Sequence, residues 1–224
     1  NDIDRRSLIR ITRIIDTLLP ANIWCILKME RDLRKIKELI RRYFSLRPKQ
    51  EFIPGKTKIP LSVPPYSWEE ATEAVESILS TWVTMGERVR RFERAFARYI
   101  GVNEAVMVNS GSSANLCALH ILTNPGIGRK MTLYGKEIIT PAVTWATTVY
   151  PIADVGAVPV FVDVGLTTYN IDPDQIEEAL SKKTRAIMPV HLLGNPCNMK
   201  RIMETARDND LFVVEDACEA HGAE

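Results

Sequence analysis

The run Met107-Val-Asn-Ser-Gly-Ser-Ser-Ala-Asn115 places three serines, two asparagines and one glycine between two apolar segments. Ahead of it, Glu104 to Val108 suits a buried strand. Behind it, Leu116-Cys-Ala-Leu-His-Ile-Leu122 suits a buried helix. A strand, a tight turn and a helix start bring hydroxyls and unpaired backbone N–H groups to one point. The N-terminus of a helix also carries partial positive charge, so a phosphate suits that point. Ser and Asn make ordinary helix caps as well, and the turn by itself leaves both readings open.

Two further clusters carry chemistry. Pro141-Ala-Val-Thr-Trp145 ends an apolar run with an indole, which can stack on a flat heteroaromatic ring or simply pack in a core. Leu211-Phe-Val-Val214 is followed by Glu215-Asp-Ala-Cys-Glu-Ala-His-Gly222, so Asp216 sits just past a strand, where a carboxylate is costly unless paired. A protonated pyridine nitrogen would pair with it. Phosphate cradle, stacking ring and carboxylate are the parts that hold pyridoxal phosphate, whose ring acts as an electron sink when its nitrogen is protonated.

These clusters need a scaffold that gathers them. Short apolar runs at 105–108, 137–140, 158–162, 185–190 and 211–214 alternate with helical patterns at 112–123, 144–155, 172–180 and 198–209. That alternation predicts βα units around a mostly parallel sheet, with ligands at the carboxyl ends of the strands. Each cluster lies at such an end. Upstream, Ser67-Trp-Glu-Glu70 is a capping box opening a helix over 67–82. A second helix over 87–100 stops at Gly101. Residues 51–66 read as a proline-punctuated linker. Residues 1–50 form a basic helical extension with 13 Lys and Arg against 6 Asp and Glu, a local net charge of +7. Met29, Leu33, Ile36, Ile40 and Tyr43 give 28–44 an amphipathic helical period. Its basic face could meet an acidic or phosphorylated partner, or stand in solvent.

Composition narrows the class. With 224 residues, 25% charged and a formal net charge of +1, the chain reads as a globular protein, and nothing points to nucleic acid as a partner. No apolar run is long enough to cross a membrane, and no signal-peptide pattern appears. Cysteines 25, 117, 197 and 218 are widely spaced without a C-x-x-C, which argues against a metal or disulfide framework and fits the cytoplasm.

The ordered set Asn109-Ser-Gly-Ser-Ser-Ala-Asn115, Pro141-Ala-Val-Thr-Trp145, Pro159-Val-Phe-Val-Asp163, Pro189-Val-His-Leu-Leu-Gly-Asn-Pro196 and Glu215-Asp-Ala-Cys-Glu219 closely resembles the DegT/StrS-type sugar aminotransferases. The resemblance runs from about Ile59 to Glu224 and leaves residues 1–50 outside. It implies the large domain of the aspartate-aminotransferase (type I) fold: an α/β, three-layer architecture with a mostly parallel sheet, here truncated. Residues 67–224 would be its N-terminal part. It implies pyridoxal 5'-phosphate or pyridoxamine 5'-phosphate as cofactor, a nucleotide-linked keto-sugar as substrate, glutamate as amino donor and a homodimer. Such enzymes serve polysaccharide, lipopolysaccharide or secondary-metabolite sugar biosynthesis.

By position, the resemblance assigns Gly111, Ser112 and Ser113 to the phosphate, Trp145 to the ring face and Asp216 to the ring nitrogen. Glu219 falls where many members carry Gln or His near the cofactor's phenolic oxygen. The family's cofactor-bonding lysine lies beyond Asp216, past the last residue here, so no catalytic residue is assigned and the chain is expected to be a fragment. An aminotransferase is the leading expectation. A 3-dehydratase of the same family, with histidine replacing that lysine, is the alternative. A non-catalytic regulator on the same fold is a third reading.

Overall fold

The computed structural model describes residues 21–48, 51–59, 66–82, 84–124, 126 and 132–223. Residues 1–20 of the basic extension and 60–65 of the linker lie outside the described residues. Backbone contacts divide the chain into two compact units, 1–88 and 89–224.

In the first unit, α1 (Ala21–Ser45) covers the predicted amphipathic period, and α2 (Trp68–Leu79) opens at the predicted capping box. The Ser67 hydroxyl accepts the Glu69 N–H at 3.1 Å, while Glu70 accepts the Ser67 N–H at 2.6 Å. Two orphan donors of the first turn are thereby satisfied. An ion pair between Lys37 and Glu76 joins α1 to α2, and the Arg41 guanidinium lies 5.1 Å from the Trp68 ring centre. The α2 helix stops at Leu79 rather than running to Trp82. Ser80 caps it, and Thr81 takes φ of 58°, a left-handed conformation that reverses the chain. A cavity of about 650 Å³ between α1 and α2 is lined by Ile26, Met29, Leu33, Ile36 and Leu79, among others.

The second unit is organised by four parallel strands: β1 (Glu137–Pro141), β2 (Val158–Val162), β3 (Thr184–Ile187) and β4 (Phe212–Val213), in spatial order β2-β1-β3-β4. Ahead of β1 comes α4 (Gly111–Leu122), and between the strands run α5 (Ala146–Asp154), α6 (Pro173–Glu178) and α7 (Met199–Asp208). The α3 helix (Glu87–Ile100) precedes them. Gly101 ends α3 at φ +81°, with its N–H on the Ala97 carbonyl at 2.9 Å. Strand residues alternate faces, and each face has its own core. Ile138 and Ala186 pack with Leu119, Leu122 and Ile152 of α4 and α5 on one side. Ile139 and Ile187 pack with Ile176 and Ile202 of α6 and α7 on the other. Helices therefore cover both faces, as a parallel sheet requires.

One predicted strand does not form. Ala105–Val108 is irregular, with Val106 80% exposed. A strand needs a ladder partner, and no strand among the described residues supplies one; the Met107 N–H donates instead to Glu93 at 2.9 Å.

The chain order of the strands fixes where a ligand can go. From β1 the chain moves outward to β2, then crosses back over β1 to β3 and continues to β4. The direction reverses between β1 and β3, and a crevice opens beyond the carboxyl ends of the strands at such a reversal. Ile187 is fully buried at the sheet's centre. Ile187→Ala should cost about 2–5 kcal/mol through lost burial and a residual cavity. A urea titration of the full-length protein, read as a fall in the unfolding midpoint, checks this.

Candidate cofactor-binding site

The site is centred on Asp216, which is buried to 7% exposure just beyond β4. Its backbone continues the β3–β4 pairing: the Asp216 N–H donates to Pro189 O at 2.9 Å and its carbonyl accepts the His191 N–H at 3.1 Å. The side chain is thus fixed at its root by sheet hydrogen bonds. Its Oδ2 accepts Asn115 Nδ2 at 2.9 Å and Thr148 Oγ1 at 2.8 Å. Its Oδ1 accepts the Cys218 N–H at a long 3.4 Å, and the Cys218 thiol also lies against the carboxylate as a hydrogen-bond donor. Burial pushes this carboxyl's pKa up, but hydrogen bonds from Asn115, Cys218 and Thr148 outweigh it and hold the group below its ordinary value. Asp216 is accordingly an ionised carboxylate at neutral pH with acceptor capacity left on Oδ1.

Its partners come from distant helices. Asn115 lies in the second turn of α4 and Thr148 in the first turn of α5. Asn115 also donates to the Thr147 carbonyl at 3.2 Å, so both hydrogens of its amide are engaged and its orientation is fixed. Thr144 and Thr148 hydroxyls lie 2.9 Å apart. Since Thr148 gives its only proton to Asp216, Thr144 is the donor between them. None of these three was assigned from the sequence. A legible signal did exist: Asn115 interrupts an apolar helix, where an Asn side chain is unfavourable unless it has a partner.

The other predicted residues lie on the surrounding elements. Gly111 begins α4, and Ser112 is exposed. Ser110 is the N-cap, its hydroxyl accepting the Ser113 N–H at 3.2 Å. The Gly111 and Ser112 amides belong to the first turn, which no intrahelical acceptor reaches. Gly111 has no positive φ, and a Cβ there would meet no protein atom within 4 Å. Neither backbone nor packing demands glycine at 111, and the space beside it is open. Trp145 occupies the N-cap position of α5 with 76% of its surface exposed, so it is not a core residue.

Glu219 holds a backbone turn. Its Oε2 accepts the Leu193 N–H at 2.6 Å, holding the 3-10 turn Leu192–Gly194, where Leu193 has φ of 55° and Gly194 of 82°. His191 is buried with both ring nitrogens engaged. Nδ1 accepts the Cys197 N–H and Nε2 meets the Glu215 carboxylate, each at 3.0 Å. With Nδ1 an acceptor, Nε2 carries the proton.

The DegT/DnrJ/EryC1/StrS aminotransferase family matches residues 65–224. The chain belongs to this family. The match takes in the whole sheet and every residue around Asp216. Among relatives of this DegT-family chain, the dTDP-4-dehydro-2,6-dideoxy-D-glucose 3-dehydratase of Saccharopolyspora spinosa is 41% identical over 215 residues, 96% of the chain and 46% of the relative. Escherichia coli GDP-4-keto-6-deoxy-D-mannose-3-dehydratase, solved with bound hydrated pyridoxal phosphate, superposes with a TM-score of 0.69 at 39% identity. The match covers 75% of this chain and 42% of that one. An aminotransferase from Psychrobacter cryohalolentis gives a TM-score of 0.66 at 34% identity, covering 73% and 40%. The chain therefore spans a little under half the length of these DegT-family relatives, and its four-stranded parallel sheet is part of the type I pyridoxal-phosphate enzyme fold.

The state of Asp216 has a measurable consequence. Because its folded-state pKa is lowered, the stabilisation it gives is complete above the ordinary value of 3.8 and is lost as pH falls through the folded value. On acidification below about pH 4, the thermal midpoint of the full-length protein should fall more steeply than that of Asp216→Asn. Parallel midpoint-versus-pH curves would contradict an ionised Asp216.

Proposed function

We propose that the full-length protein uses pyridoxal phosphate, or its pyridoxamine form, to act on a nucleotide-linked 4-keto-sugar, and that it removes the sugar's 3-hydroxyl. The cofactor assignment is carried by one observation: a buried, ionised carboxylate at the strand ends whose Oδ1 retains an acceptor position. Asp216 would accept the ring-nitrogen proton there. Gly111 and Ser112 would give their amides to the phosphate, and Ser113, whose amide is taken by the cap, would give its hydroxyl. Trp145 suits a ring face because its side chain makes no cap hydrogen bond and does not pack in a core. Held there, the group supplies an electron sink for bond cleavage next to the sugar carbonyl.

The choice of reaction rests on the N-terminal segment. The family itself matches only from residue 65, whereas the similarity to the Saccharopolyspora spinosa 3-dehydratase extends over 215 of 224 residues and so takes in most or all of α1. The solved Psychrobacter aminotransferase supports amine transfer as the second reading, with glutamate the donor that the family resemblance implies. In either case a homodimer is the assembly we propose, on the family resemblance.

Glu219 adds to the reading through what it does not do. Committed to the Leu193 amide, it would shape the Leu192–Gly194 turn rather than meet the cofactor's phenolic oxygen.

The test is product analysis. Full-length protein loaded with cofactor and given a nucleotide-linked 4-keto-sugar and glutamate should yield a keto-sugar lacking one oxygen and carrying no nitrogen, by mass. An aminated sugar would establish the second reading. Asp216→Ala should lose most turnover in both cases, and an Asp216→Ala enzyme of normal rate would remove the cofactor assignment altogether.

A further inference from the structure

The hydrogen bonds around Asp216 form a directed chain. Thr144 donates to Thr148, Thr148 donates to Asp216 Oδ2, and Asn115 donates to the same oxygen. Oδ2 thus accepts two hydrogen bonds, both from neutral donors. Oδ1 has the long 3.4 Å contact from the Cys218 N–H, and the remaining neighbour of the carboxylate is the Cys218 thiol, which burial keeps neutral. The two carboxylate oxygens are therefore unequal: one is anchored and one is presented. Thr148 is 1% exposed, and the Asn115 amide is locked by its second bond to Thr147. Neither donor can turn away without leaving a buried polar group unpaired, at a cost of about 1–3 kcal/mol.

We infer that Asn115 and Thr148, with Thr144 behind Thr148, are positioning residues that aim Asp216 Oδ1 at the cofactor's ring nitrogen and so set how firmly that nitrogen keeps its proton. The inference rests on the reading of Asp216 as the ring-nitrogen partner. Two neutral donors stabilise the anion without supplying a competing positive charge. A Lys or Arg in their place would pair with Asp216 and weaken its pull on a ring proton. An unanchored carboxylate could rotate, exchanging its oxygens and lengthening the contact. The arrangement keeps the group charged, neutral-neighboured and fixed in direction.

The decisive measurement uses the full-length protein loaded with ring-¹⁵N-labelled pyridoxal phosphate. The nitrogen resonance reports whether the ring is protonated, and a pH series gives its midpoint. Asn115→Ala and Thr148→Val should each lower that midpoint by about one pH unit and weaken cofactor retention about tenfold. Thr148→Ser keeps the hydroxyl and should restore the parent midpoint, which a loss of packing alone would not do. Thr144→Val should move the midpoint in the same direction by less, and it carries the test together with Asn115→Ala if Thr148→Val does not fold. Parent-like midpoints in Asn115→Ala and Thr144→Val would overturn the positioning role. Asp216→Asn separates the two levels. If it leaves the ring resonance unchanged, Asp216 is not the ring partner and the cofactor assignment itself fails. If it shifts the resonance while the Asn115 and Thr148 variants do not, only the positioning role fails.

Discussion

A carboxylate held ionised inside the protein is the constraint around which the second unit is arranged. Charge at 7% exposure is tolerated only when hydrogen bonds replace the water it has lost. Here the replacement comes from three directions: α4 through Asn115, α5 through Thr148, and the Asp216–Cys218 backbone itself. Those helices must therefore sit in fixed register on the sheet. The apolar cluster beneath them, with Leu119, Ile138 and Ile152 fully buried, is what fixes that register. Core packing and site chemistry are in this sense one requirement, because a helix shifted by an ångström would leave the anion unpaired.

Much of this was legible in the chain. Val158–Val162 is the strand that its apolar run announces, and Glu87–Ile100 is the helix between a break and a glycine stop. Asp216 stood out because an acid directly after four apolar residues needs a reason to be there. The Ala105–Val108 run misled because an apolar segment states only that burial is favourable. Whether it becomes a strand depends on a partner edge that local sequence cannot specify.

What surrounds Asp216 was less legible, for a physical reason. Asn115 and Thr148 look like minor polar residues on two helices, and they matter because tertiary structure brings them to one oxygen atom. Glu219 reads from position alone as a neighbour of the cofactor. Its carboxylate is claimed by a backbone amide 26 residues upstream, in a turn where Leu193 takes a left-handed conformation that nothing about leucine foretells. Position in a motif places a residue near a site; only the competing partners decide where its side chain goes.

The separation of Asn115 from Asp216, 101 residues along the chain, and of Thr148 from Asp216, 68 residues, bears on how the molecule comes to exist. Contacts between such distant segments form only after long loops have been closed, so they belong late in folding. In the folded structure the anion meets its donors where β1, β3 and β4 lie side by side. A ligand that recognises the oriented carboxylate therefore binds the finished sheet and no earlier species. The binding energy of such a ligand would add to the stability of the whole second unit, because it would bind the folded state and not the unfolded chain.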